Sequence, residues 1–390
     1  MAADDQAIER IPVFDVRLED EHVTAVVDTL RSGWLTMGPR IQAFEAQFAD
    51  HLGVPHAVAV SSCTSALHLA YLAAGVGPGD EVIVPGITFV ATAAAARYCG
   101  ATPVLAEVLG PHDLSLDPED VRRRITPRTE AVCAVHYAGY AAPLTALAEI
   151  CDEHGLALLE DAAHSPSAEM PQTRERLGTV GLAGAFSFFS NKIISCGEGG
   201  LLATRDDGVA ELARSRRSHA MTSGTWDRHR GHARGYDVVE VGYNYRMDEP
   251  RAALLSARLP GLDADIRERR RLTHEYRSRL ADLPGLSLPY GKDQVDASSC
   301  YIMPVMLEDP NLRDPLREAL DRRGIQTTVL YPSISEFSAY TGTPGADSLP
   351  RCELIARCQL TLPLYPHLGD ERLERGVGAV REGLAELGEG

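Results

Sequence analysis

The sequence predicts an α/β protein: a large domain with a mostly parallel sheet flanked by helices, followed by a smaller C-terminal α+β domain. Three observations carry this. Up to about residue 250, short apolar runs alternate with helix-length segments, the rhythm of strand, crossover helix and strand. The 390 residues exceed what one hydrophobic core usually serves. After "GYNYRMDEP" (242–250) the texture changes to charged helix, so the domains are expected at 1–250 and 251–390.

In order, "HAVAVSS" (56–62), "EVIVPG" (81–86), "TPVLAEV" (102–108), "EAVCAVHY" (130–137) and "LALLED" (156–161) read as buried parallel strands. Each is short and continuously apolar rather than alternating. Helices are expected between them at 64–74, 89–99 and 144–154. The second domain should hold a charged helix near 262–282, a strand within "SSCYIMPVML" (298–307), a helix near 311–323 and a strand near 325–330. "TGTPGADSLP" (341–350) reads as a loop, and no internal repeat or low-complexity segment is visible.

With 44% hydrophobic and 24% charged residues, the composition is that of a globular protein. The net charge of −17 argues against a nucleic-acid partner, because neutralising phosphates needs a surplus of Lys and Arg. The local basic patches "RSRRSH" (214–219) and "RERRRL" (267–272) read as solvated helix faces, though one of their arginines could meet an anionic substrate. Eight cysteines lie scattered without a C-x-x-C pair, which fits neither a disulfide framework nor a zinc site. A reducing, cytoplasmic setting is expected. The N-terminus has no charged leader followed by an apolar core, and no apolar run has membrane-spanning length.

In an open parallel sheet, ligands collect beyond the carboxyl ends of the strands. "VSSCTSALHLA" (60–70) places Ser62, Thr64 and Ser65 where a strand gives way to a helix; they offer hydroxyls to a phosphate, or simply an N-cap. "PGITFVATA" (85–93) places Phe89 at the next such junction, to stack on a flat heterocycle or to fill the core. "LLEDAAHSPSA" (158–168) ends a strand with Glu160 and Asp161 and adds His164; Asp161 suits a helix cap or a protonated ring nitrogen. "SFFSNKIISCGEGG" (187–200) sets Ser187 and Lys192 ahead of a glycine cluster; the lysine is either a snorkelling surface residue or a Schiff-base nucleophile. Phosphate cradle, stacking face, carboxylate and amine are together what pyridoxal 5′-phosphate requires. The glycine cluster has no G-x-G-x-x-G or Walker spacing.

With "FEAQFADHLGVPHAVAVSSCTSALHLA", "GPGDEVIVPGITFVATA", "ITPRTEAVCAVHYAG", "LLEDAAHSPSA", "AFSFFSNK", "GEGGLLAT", "GYNYRMDE" and "LTLPLYP" in this order, the sequence resembles the DegT/StrS family of sugar aminotransferases. That family has the type I fold of pyridoxal-phosphate enzymes. The resemblance implies that Lys192 is the Schiff-base lysine and that Asp161 pairs with the pyridine nitrogen. His164 stands beside the ring, Thr64, Ser65 and Ser187 hold the phosphate, and Phe89 stacks. Asn244 would reach the phosphate of the neighbouring subunit in a homodimer whose sites lie at the interface. It further implies glutamate or glutamine as amino donor, a pyridoxamine 5′-phosphate form in the cycle and a keto-sugar acceptor, nucleotide-linked.

Other outcomes on the same scaffold are a keto-cyclitol acceptor of antibiotic biosynthesis, dehydration chemistry, or a cofactor-binding regulator without turnover. Dehydrating relatives commonly replace the lysine by histidine, so Lys192 disfavours that branch. Departures from the family pattern are Cys63 for glycine, Pro166, Ser167 and Met170 after His164, Leu182 for aspartate, and Leu330 for the histidine before Tyr331. Arg246, Tyr331 and a lid at 218–237 are the candidate acceptor contacts. Antibiotic sugars and surface polysaccharides both remain open as the pathway.

Overall fold

The computed structural model describes residues 9–232 and 235–388. In chain order its strands are β1 (His56–Val60), β2 (Glu81–Pro85), β3 (Thr102–Ala106), a short hairpin of β4 (Val108–Gly110) and β5 (Asp113–Leu116), then β6 (Thr129–Val135), β7 (Ala157–Asp161), β8 (Ala183–Ser187), β9 (Gly200–Thr204), β10 (Leu286–Ser287), β11 (Met303–Leu307) and β12 (Gln359–Leu362). Seven of them form the central sheet in the order β1-β9-β8-β7-β6-β2-β3. The pairs β2/β3, β2/β6, β6/β7 and β7/β8 are parallel, whereas β9 runs against both β1 and β8. The five apolar runs singled out in the sequence are β1, β2, β3, β6 and β7. Helices Cys63–Ala73, Ala91–Tyr98 and Leu144–His154 connect them. Residues of β2, β8 and β9 are buried throughout, as expected of strands covered on both faces.

Strand β9 was visible in the sequence only as part of a glycine motif. Its antiparallel return lets a short loop join it to β8, where a parallel partner would need a long crossover. That loop, 188–199, carries Lys192 and closes on itself: the Phe188 N–H donates to the Gly199 carbonyl and the Cys196 N–H to the Phe188 carbonyl, each at 2.9 Å. Gly200 is required where β9 begins, because a Cβ there would lie 2.2 Å from the carbonyl carbon of Ser62. The glycine thus lets β9 press against the start of the Cys63–Ala73 helix.

The C-terminal part holds the helix Leu262–Leu280, the helix Arg313–Arg322 and a second, antiparallel sheet in the order β10-β11-β12. Two sequence expectations change here. The strand expected over 298–307 is formed only from Met303 on, because residues 299–301 bond to another loop: Ser299 N–H to the Gly139 carbonyl at 3.2 Å and Tyr301 N–H to the Ala138 carbonyl at 2.9 Å. The strand expected at 325–330 is absent. Ile325 bridges to Ile11 and Thr328 to Thr361, so the pairing partner changes within four residues and no continuous ladder develops.

The basic patches also differ from expectation. Arg217, 6% exposed, donates to the Ala59 carbonyl at 2.6 Å and pairs with Glu45, whose carboxylate also accepts the Ala59 N–H at 2.8 Å. Arg269, 4% exposed, donates to the carbonyls of Tyr301 at 3.2 Å and Leu364 at 3.0 Å. Neither is part of a solvated face, since a buried guanidinium needs such acceptors. Arg216 and Arg271 do keep to the surface, paired with Glu240 and with Glu268 and Asp370.

The tip of β7 is held by Glu160, which has no exposed surface. Its carboxylate accepts N–H bonds from Gly178, Val180 and Gly181 at 2.7, 2.8 and 2.7 Å and meets His136 Nε2 at 2.9 Å. His136 Nδ1 accepts the Ala142 N–H, which leaves the ring proton on Nε2, facing the carboxylate. Burial alone would raise the Glu160 pKa; the His136 bond and the glycine N–H groups outweigh it and leave it lowered. A carboxylate with a lowered folded pKa contributes stability above its unfolded pKa and loses it as the pH falls through the folded value. Glu160→Gln should therefore cost about 3 kcal/mol in urea unfolding at neutral pH. Its stability should also fall less steeply on acidification than that of the unaltered protein.

Candidate active site

A cavity of about 360 Å³ opens beyond the carboxyl ends of β6, β7 and β8. The start of the Cys63–Ala73 helix closes one side, the Thr88–Ala91 turn another, and Tyr301, Leu330 and Tyr331 from the C-terminal part form the far wall. Of the residues anticipated from sequence, Thr64, Phe89, Asp161, His164, Ser187, Lys192 and Tyr331 line it. Ser65 lies just behind, its hydroxyl 3.0 Å from those of Ser61 and Ser62. Asn244 and Arg246 are outside. Asn244 is exposed and bridged to Ser218, and Arg246 reaches the Ser218 hydroxyl at 3.4 Å. Of the expected lid, Ala233 and Arg234 lie outside the described residues; its Trp226 and His229 pack on Trp34 at 4.7 and 4.6 Å between ring centroids.

Asp161 ends β7 at the cavity floor. Alternation along the strand turns it toward the cavity while its neighbour Glu160 is committed to the 178–181 loop. Its Oδ2 accepts the Thr92 hydroxyl at 2.7 Å and its Oδ1 the Ala163 N–H at 3.2 Å. Burial raises its pKa by more than the Thr92 hydroxyl, the Ala163 N–H and the Lys192 charge lower it. For Lys192, burial brings the pKa from 10.5 down to about 8 against the opposing pull of Cys63 and Asp161. Its ammonium lies 4.3 Å from the centroid of the Tyr301 ring.

His164 stacks on Tyr301 with ring centroids 4.3 Å apart. Its Nδ1 accepts the Ala138 N–H at 3.2 Å, so the ring proton sits on Nε2, 3.0 Å from the Tyr331 hydroxyl. Burial, then the Lys192 charge, push the His164 pKa well down, and the ring is neutral. Tyr331 is held from behind by Gln359, whose side-chain N–H donates to its carbonyl at 2.6 Å. Sequence reasoning missed Thr88, Thr92, Tyr301, Asn191 and Glu198. Nothing local marks Tyr301, or Thr88, which lies in the bend before the Ala91–Tyr98 helix.

The donor set fits pyridoxal phosphate. A buried carboxylate suits its ring nitrogen, and the amine suits its aldehyde. The hydroxyls of Ser62, Thr64 and Ser187 gather at the open N-terminus of an 11-residue helix, where N–H groups favour an anion. Ser62 caps that helix as well, accepting the Ser65 N–H at 3.1 Å. Phe89 leaves 55% of its surface exposed at the rim, which a core phenylalanine would not, and the buried Oδ1 of Asn191 has no protein partner.

Residues 16–381 match the pattern of the DegT/DnrJ/EryC1/StrS aminotransferase family. The chain is 40% identical over 381 residues to the dTDP-3-amino-3,4,6-trideoxy-alpha-D-glucose transaminase of Streptomyces venezuelae, covering 96% of each chain. It is 36% identical over 371 residues to the spore coat polysaccharide biosynthesis protein SpsC of Bacillus subtilis (strain 168), covering 93% of this chain and 94% of that one. Among solved structures it superposes on the aminotransferase TlmJ from Streptoalloteichus hindustanus with a TM-score of 0.89 at 37% identity, over 97% of this chain and 100% of that one. The site geometry, the near-complete pattern match and these relatives lead to one conclusion: the chain belongs to the DegT/DnrJ/EryC1/StrS aminotransferase family and is an aminotransferase.

Proposed function

We propose that this aminotransferase uses pyridoxal phosphate to move an amino group from glutamate or glutamine to a nucleotide-linked keto-sugar, in amino-sugar or antibiotic biosynthesis. The observation that carries the reading is Lys192: a partly buried amine with its pKa held down to about 8, in the same cavity as a buried carboxylate and a cradle of hydroxyls. The sugar relatives extend it to the acceptor, because two proteins that cover nearly the whole chain serve a deoxysugar and a polysaccharide.

When bound, pyridoxal phosphate supplies a sink for the electron pair left when the donor's Cα–H bond breaks. Asp161 would face the ring nitrogen and keep a proton there. Ser62, Thr64, Ser65 and Ser187, with the helix N–H groups, would hold the phosphate, and Phe89 and His164 would offer aromatic faces. Lys192, once free, takes a proton from the donor carbon at its Nζ and returns it on the other side of the transfer; a pKa near 8 suits both directions at neutral pH. The neutral His164 donates its Nε2 proton to Tyr331, whose own hydroxyl proton is then free to meet an oxygen of the acceptor.

Asn244 supports a shared site in a homodimer. It is exposed, away from its own cavity, on a segment whose Tyr236, Val238, Val239 and Val241 are also exposed. A second copy covering this apolar surface would receive Asn244 at its phosphate cradle and Arg246 near its acceptor. No helix among the described residues is long and apolar enough to cross a membrane.

The purified protein with pyridoxal phosphate should show a visible absorption band that bleaches on adding glutamate or glutamine. Lys192→Ala should lack that band and turn over slower by a factor on the order of 10³; a band that no amino donor bleaches would point instead to a non-catalytic binder. Capture of pyridoxal phosphate by the cofactor-free protein requires a neutral amine. Its rate, followed by stopped-flow absorbance, should climb through about pH 8 and level off, rather than rise toward 10.5. For the shared site, Asn244→Ala and Lys192→Ala proteins should regain activity when mixed, since hybrid dimers hold one site with both residues; no gain on exchange would place Asn244 elsewhere.

A further inference from the structure

Asp161 sits in a site that works against its charge. Burial raises its pKa, and the surrounding groups are few: Lys192 on the β8–β9 loop, His136 after β6, and the neutral Cys63, Tyr71, Cys133 and Tyr331 from the helix, sheet and far wall. Lysine capture of an aldehyde removes the ammonium that would stabilise it. The hydrogen bonds it accepts must then favour its ionised form: the Ala163 N–H at 3.2 Å serves Oδ1, and Oδ2 needs a source of its own.

Two threonines supply it. The Thr88 and Thr92 hydroxyls are 3.0 Å apart, both residues are 1% exposed or less, and Thr92 Oγ1 is 2.7 Å from Asp161 Oδ2. A hydroxyl has one proton. Thr92 has two acceptors within reach, the Asp161 carboxylate and the Phe89 carbonyl at 3.2 Å, and the nearer, charged one takes its proton. Thr88 then donates to Thr92, so the two hydroxyls point their dipoles in series at the carboxylate, each strengthening the next. Thr88 lies in the bend after β2 and Thr92 in the first turn of the Ala91–Tyr98 helix, and the turn between them brings the two hydroxyls together.

We infer that Thr92, backed by Thr88, is a positioning residue that keeps Asp161 ionised and aimed at the cofactor's ring nitrogen. This rests on the pyridoxal phosphate reading. The hydroxyl relay acts on the carboxylate alone and leaves the lysine and the phosphate cradle untouched. Its removal therefore weakens the cofactor's grip at the ring nitrogen, most strongly at low pH, where Asp161 gains a proton.

The test is spectroscopic titration of the cofactor-free, full-length protein with pyridoxal phosphate from pH 5 to 9, alongside thermal unfolding. Thr92→Val, which keeps the shape and removes the hydroxyl, should bind about tenfold more weakly at neutral pH, with the acid limb of its affinity moved to higher pH. Thr92→Ser, which keeps the hydroxyl, should bind within about twofold of the unaltered protein on the same reasoning. Thr88→Val should lose less, in the same direction. A Thr92→Val profile matching the unaltered one would overturn the inference, and so would a Thr92→Ser protein as weak as Thr92→Val, since the loss would then belong to the methyl group. Should Thr92→Val not fold, an unchanged profile in Thr88→Val overturns it. If the unaltered protein bound no pyridoxal phosphate at all, the cofactor reading would fall and this inference with it.

Discussion

The site depends on the end of β7, where two consecutive carboxylates face opposite ways. Glu160 is fixed by three backbone N–H groups and His136, and those bonds tie the 178–181 loop and the turn after β6 to the strand. Side-chain alternation then leaves Asp161 no choice but the cavity. A buried carboxylate with four donors is rigid, because any shift of the strand leaves a charge without partners. The immobile Glu160 thus fixes where Asp161 stands in the cavity.

Around that point the protein balances burial against charge. Lys192 and Asp161 share one cavity, and each favours the ionised form of the other. Even so, burial prevails for both: the amine is held near 8 and the carboxylate is raised. An amine poised in this way is neutral often enough to attack an aldehyde and basic enough to take a proton from carbon. Tyr301 contributes a ring face to both Lys192 and His164, so the segment leading into the small C-terminal sheet helps wall the cavity.

Two of the departures from the family pattern reach the cavity, from different sides. Cys63 and Leu330 both line the cavity. Burial and then the Asp161 charge hold the Cys63 thiol protonated, well above its usual range, so it presents a small apolar surface rather than a nucleophile. Leu330 joins Leu67, Phe89, Val135 and Phe189 in lining the cavity with carbon. Its backbone carbonyl accepts the Tyr137 hydroxyl, so the position is held by the main chain and the side chain is free to vary. Pro166 and Leu182 do not line the cavity, and the structure assigns them no part in it.

The sequence by itself determined the strand-and-helix rhythm up to residue 161, the placement of Thr64, Asp161, Ser187 and Lys192 at or just beyond strand ends, and the family. Those features are local: continuous apolar runs, N-cap hydroxyls and a lysine ahead of glycines are legible within a few residues. Tertiary structure decided what depends on distant partners. The reversed β9, the lost strand at 325–330, the burial of Arg217 and Arg269, and the arrival of Tyr301 each arise from hydrogen bonds to segments far along the chain. Thr92 and Tyr331 belong to the same class, since a carboxylate 69 positions away and a histidine 167 positions away give them their roles. Periodicity records which face of an element is buried, whereas partner choice is settled only when the faces meet.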